Sequence, residues 1–60
     1  MTLAEQMIRF RAETNMSQKE CAEKVGITLQ TWMHVERELQ TPSRLTEQKI
    51  RLFIEKEQKQ

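Results

Sequence analysis

The nucleophile-bearing residues of this chain lack the neighbours that catalysis needs. Ser17 and Cys21 share one stretch with helical spacing, and no base or orienting group is placed to activate either of them. His34 is the single histidine, with no Cys at metal-ligand spacing, so no metal site is expected. Gly26 is the only glycine, which leaves no Gly-rich loop to cradle a phosphate. Neither an enzyme nor a cofactor-binding protein is expected. What remains is hydrogen-bonding and apolar chemistry on residues 29–37. The Gln30 amide can pair in bidentate fashion with adenine, His34 can donate to a base acceptor or a phosphate, and Leu29 can meet a thymine methyl. Met33 adds a second apolar group to that face. Two exposed apolar groups on a short helix suit a protein partner equally well.

The elements that must hold this face are legible around it. Ser17 can cap a helix over 18–24, with Glu20 at the third position to complete a reciprocal cap. Cys21, Ala22 and Val25 then share its inward side. Gly26 ends that helix because it accepts a positive φ without a Cβ clash. Thr28 caps the next helix, 29–37, whose inward residues are Trp32 and Val35. A buried indole needs a partner for its N–H, such as a backbone carbonyl. The absence of glycine at Glu38 predicts that this helix continues to Leu39, until Thr41 and Pro42 stop it.

Upstream, 2–14 reads as a first helix capped by Thr2 and Glu5. Leu3, Met7 and Phe10 form its apolar row, with Ile8 beside them. Asn15 can take the left-handed turn after it, and Met16 packs back before Ser17. Ser43 can cap a last helix, 44–56, in which Ile50, Phe53 and Ile54 face the core at i, i+3, i+4 spacing. Leu45 and Leu52, seven apart, form a smaller stripe that is either core at one end or a dimer contact.

Ser17-Gln18, Ala22, Val25-Gly26-Ile27-Thr28, Thr31-Trp32, Val35-Glu36 and Pro42, with Arg11 upstream, together resemble the Cro/C1-type (XRE-like) helix-turn-helix family of phage and bacterial regulators. The resemblance covers roughly residues 5–54. It implies a compact all-α helix-turn-helix domain of the phage-repressor type, with four helices here and five in many members. It implies a bridge between Arg11 and Glu36 tying the first helix to the third. It places the third helix in the major groove of double-stranded DNA, with Gln18, Leu29, Gln30, Met33 and His34 toward the bases. Lys19, Thr28, Thr31, Arg37, Ser43 and Arg44 fall toward the sugar–phosphate backbone, and Gln18 suits a phosphate as well as a base edge. Arg11, Glu36, Gly26 and Trp32 are the structural positions. Met33 stands where Ser is common and Glu38 where Gly is common, beside expected phosphates.

Sixty residues allow one domain, expected over 1–57 with a frayed polar tail at 58–60, and little stability in reserve. Ten Lys and Arg against nine acidic residues leave a net charge of +1, so any affinity for DNA must come from how charge is arranged. No apolar run approaches a membrane span and the start lacks a signal-peptide core, so a reduced, cytoplasmic protein is expected. A lone cysteine on an inward face fits a buried thiol. Two functions follow as alternatives. One is a repressor-like, sequence-specific DNA-binding regulator of a phage, mobile element or bacterium, working as a homodimer or with a partner protein. The other is an antirepressor or interaction module that keeps the fold and binds a partner repressor through Leu29 and Met33.

Overall fold

Four helices make up the fold in the computed structural model, which describes residues 2–58. They are α1 (Leu3–Thr14), α2 (Gln18–Val25), α3 (Leu29–Glu36) and α4 (Arg44–Gln58), and no strand occurs among the described residues. Each start is set by a local side chain. The Thr2 hydroxyl accepts from the Glu5 amide at 3.1 Å and Glu5 accepts from the Thr2 amide at 3.0 Å. Ser17 and Glu20 repeat the same exchange at α2. Thr28 accepts from the Thr31 amide at α3, and Ser43 from the Thr46 amide at α4. These bonds satisfy amides that have no partner inside their own helix.

The helix ends are equally local. Asn15 closes α1 with φ of 59°. Gly26 closes α2 with φ of 90°, and a Cβ there would meet nothing within 4 Å. Glycine is therefore required by the backbone angle and not by crowding.

α3 departs from expectation. It ends at Glu36 and does not run on to Leu39, because Glu38 itself adopts the left-handed conformation, with φ of 59°. The Leu39 amide donates to the His34 carbonyl at 2.8 Å and the Glu38 amide to that of Val35 at 3.1 Å. This is the paired closure that usually employs glycine. A side chain in that region costs about 1–2 kcal/mol, while glycine adds about 0.4–1 kcal/mol of unfolded-state entropy. Glu38→Gly is accordingly expected to raise stability by up to about 1 kcal/mol. A urea midpoint that falls in the variant would contradict this account of the turn.

α3 packs on α1 and α2, and α4 closes over the same two helices. The core consists of Met7 and Phe10 from α1, Cys21 and Ala22 from α2, Trp32 and Val35 from α3, and Ile50 and Ile54 from α4. Phe53 joins the layers edge-on, 5.1 Å from Phe10 and 6.5 Å from Trp32 between ring centroids. The result is a compact bundle of 29 × 23 × 19 Å. Ala4 is buried, whereas Ile8 is exposed, so the inward row of α1 is Ala4–Met7–Phe10 with Leu3 at its border. Leu45 and Leu52 both lie in the open, which excludes a core role for either. α4 continues through Gln58, beyond the 44–56 expected for the last helix, and residues 59–60 of the expected tail lie outside those described. No helix among the described residues is long and apolar enough to cross a membrane.

Candidate nucleic-acid interface

The face of α3 away from the core carries the residues expected to meet DNA bases on one side. Leu29 is 41% exposed, Gln30 and Arg37 are exposed, and Met33 and His34 are half-buried. Trp32 and Val35 occupy the opposite, buried side. With 3.6 residues per turn, this division puts Leu29, Gln30, Met33, His34 and Arg37 on one outward arc.

Glu36 lies at the edge of that arc and organises the groups behind it. It is the buried charged residue of the core, 7% exposed. Arg11 of α1 reaches it with a forked pair of bonds, Nε to Oε2 at 2.8 Å and Nη2 to Oε1 at 2.7 Å. The Trp32 indole N–H donates to Oε2 at 2.7 Å, and the Gln18 amide donates to Oε1 at 3.2 Å. The expected Arg11–Glu36 bridge is thus formed. The indole does not use a backbone carbonyl, because the carboxylate one turn away is a stronger acceptor. Gln18, expected at a base edge or a phosphate, has its amide nitrogen turned to Glu36. Sequence reasoning anticipated Arg11 but missed Trp32 and Gln18 as donors to the same carboxylate; the i, i+4 spacing of Trp32 and Glu36 was the one local trace.

Burial pushes the Glu36 carboxyl upward, but the bonds from Arg11, Trp32 and Gln18 outweigh it and hold the group below the ordinary carboxylate range. The same pairing raises the Arg11 guanidinium. A carboxyl depressed on folding contributes stability above its unfolded value, about 4.3, and that contribution is lost as pH falls through the lower folded value. The Glu36 carbon resonance is therefore expected to titrate below about 4.3 in the folded protein, with the urea midpoint declining once pH drops beneath that value. A Glu36 midpoint at or above the unfolded value would refute the arrangement. Cys21, buried under α2, is pushed up to about 11 by desolvation, which leaves a neutral, poorly reactive thiol.

Lys19, Arg37 and Arg44 are exposed and in no ion pair among the described residues, unlike Arg9 and Arg51, which meet Glu13 and Glu47. The Thr28 and Ser43 hydroxyls already accept amide protons as caps, and Thr28 also bonds the Thr31 hydroxyl at 2.8 Å. Glu38, exposed beyond the end of α3, also lines a shallow cleft of about 280 Å³ with Thr2, Leu3, Val35, Pro42 and Glu47. That cleft shares no residue with the outward arc of α3. The described residues contain no group of three or more His, Cys, Asp or Glu side chains placed to hold a metal ion.

No protein-family model, curated protein or solved structure matches this chain.

Proposed function

We propose that this chain is a sequence-specific, repressor-like DNA-binding regulator of the helix-turn-helix kind. α3 enters the major groove of double-stranded DNA while α2 lies across the backbone, the docking geometry of that class. One observation carries the reading. A short helix with amide, imidazole and guanidinium groups along its outward arc is tied to α1 and α2 through a buried carboxylate, and Lys19, Arg37 and Arg44 are exposed and in no ion pair among the described residues. Gln30 and His34 supply groups for base edges, whereas Lys19, Arg37 and Arg44 supply charge for phosphates. The Cro/C1-like pattern of residues 17–36 supports the same reading. A single module of this size covers few base pairs, so useful affinity calls for a homodimer on a palindrome or for a partner protein. The cytoplasm, where DNA and reduced thiols coexist, is the compartment this function implies.

Gln30→Ala is expected to cost about 1–3 kcal/mol of specific binding with the fold intact, since the side chain is exposed. Arg44→Ala is expected to weaken all sequences alike and to lower the salt dependence by about one unit of slope. Mobility shift over a randomised duplex pool measures both. The exposure of Leu29 beside Met33 favours one second reading, an antirepressor that binds a partner regulator on this face. Failure to enrich any duplex at low salt, together with partner binding abolished by Met33→Lys, would decide for it.

A further inference from the structure

Leu45 and Leu52 are 63% and 65% exposed, more than any other large apolar side chain on the described helices. Seven residues apart, they share one row about 10 Å long, on the far side of α4 from buried Ile50 and Ile54. The charge around them is uneven. Arg44, Lys49, Arg51 and Lys56 are exposed on the same arc with one carboxylate, Glu55, whereas Glu47 and Glu57 are half-buried. Arg51 meets Glu47 at 2.9 Å, while Lys49 and Lys56 are in no ion pair among the described residues. The other long exposed faces lack this excess. On α1, Glu5 and Glu13 outnumber Arg9, and on α2 the lysines match the glutamates. A chain of net charge +1 thus concentrates positive charge on either side of a leucine row.

Heptad geometry decides what can cover that row. With the leucines at position a, Arg44 and Arg51 take g, and Lys49 and Lys56 take e, the two flanks of the seam. A parallel second copy would set the g cations against the e cations, and an antiparallel copy would set each flank against itself. Both directions bring like charges together, so self-pairing is opposed. Gln48 and Glu55 occupy position d and interrupt the row. Two leucines make a face too narrow for a lipid surface, which takes a broad apolar one. We propose that this face of α4 docks an acidic amphipathic helix of a partner protein, whose apolar row meets Leu45 and Leu52 and whose Asp and Glu flanks meet Arg44, Lys49 and Lys56. A row this short buries less than a standard interface, so the contact belongs to the transient class. The inference does not depend on the DNA-binding reading, and its surface is on a different helix from Leu29 and Met33. Arg44, at the edge of the arc, is the one member shared with the expected phosphate contacts.

The test selects a displayed library of helical peptides on the full chain, with leucine fixed at positions a and d and Glu, Gln or Lys allowed at e and g. Fluorescence anisotropy then measures the selected peptides. Enrichment of Glu at both flanks is expected. The double variant Leu45→Gln, Leu52→Gln is expected to bind the selected peptide at least about tenfold more weakly. The double variant Lys49→Glu, Lys56→Glu is expected to invert the choice at one flank, returning Lys in place of Glu. All four side chains are exposed, so both variants should keep the parent fold by circular dichroism. No selected peptide, no flank preference, or binding indifferent to the leucine pair overturns the proposal. So does binding lost in Met33→Lys, which would seat the peptide on α3. A parent dimer in sedimentation equilibrium that the leucine variant dissolves would assign the face to a second copy. Binding to phosphatidylserine vesicles that the same variant loses would assign it to a lipid surface. Either result refutes the proposal.

Discussion

Trp32→Ala is expected to remove about 3–5 kcal/mol of stability, the largest loss of any single truncation in this core. Trp32 is fully buried and touches the ring of Phe53 edge-on, so its removal opens a cavity at the meeting point of α3 and α4. It also takes one donor away from Glu36. At roughly 0.05–0.15 kcal/mol per residue, a chain of this length has about 3–9 kcal/mol in total. The variant should therefore be largely unfolded at moderate temperature. Thermal denaturation followed by circular dichroism checks this. Melting within a few degrees of the parent would mean that the indole contributes little to the core and that the packing described above is wrong.

Glu36→Ala is expected to cost a comparable amount, about 3–5 kcal/mol, by a different route. Little volume is lost from the core proper. The cost arises because three donors lose one acceptor together. The Trp32 N–H is left buried without a partner, Arg11 loses both bonds of its fork, and Gln18 loses its anchor. Arg11 is partly exposed and recovers some hydration, whereas the indole N–H has no such recourse. Arg11→Ala should consequently cost less than Glu36→Ala, since the remaining carboxylate keeps Trp32 and Gln18 as donors. Urea unfolding of both single variants and of the double variant measures the coupling. Additive losses would show that the four residues do not act as one network.

The two variants also separate scaffold from recognition. On the proposed DNA-binding reading, Trp32→Ala should weaken binding only in proportion to the folded fraction it removes, whereas Glu36→Ala also releases Gln18. Gln30→Ala, by contrast, leaves that fraction unchanged. Measuring binding and stability on the same samples keeps the two effects apart.

Much of the fold was legible in the sequence because the information was local. A capping residue and its partner are three positions apart, so Thr2 with Glu5 and Ser17 with Glu20 mark helix starts before any tertiary contact exists. The need for φ of 90° at Gly26 is a property of one residue. The inward rows of Cys21–Ala22, Trp32–Val35 and Ile50–Ile54 follow from helical period alone. Where period left a choice between adjacent positions, packing made it. Ala4 is buried and Ile8 is 49% exposed, a difference that helical period alone does not give. Leu45 and Leu52 fit a stripe by spacing, yet no helix lies opposite to cover them.

The candidate site divides along the same line. Sequence alone determined which residues share the outward arc of α3, since 3.6 residues per turn places them there in any fold that buries Trp32 and Val35. Only the tertiary structure decided what stands behind that arc. Three donors 4 to 25 positions distant from Glu36 converge on its carboxylate, and only the packing of α1 and α2 against α3 brings Arg11 and Gln18 there. The same packing turned the amide nitrogen of Gln18 toward Glu36. It also imposed a left-handed backbone on Glu38, a residue whose own preference is to continue the helix. Local preferences of about 1 kcal/mol give way when burying a whole helix face stabilises the chain by several times that amount.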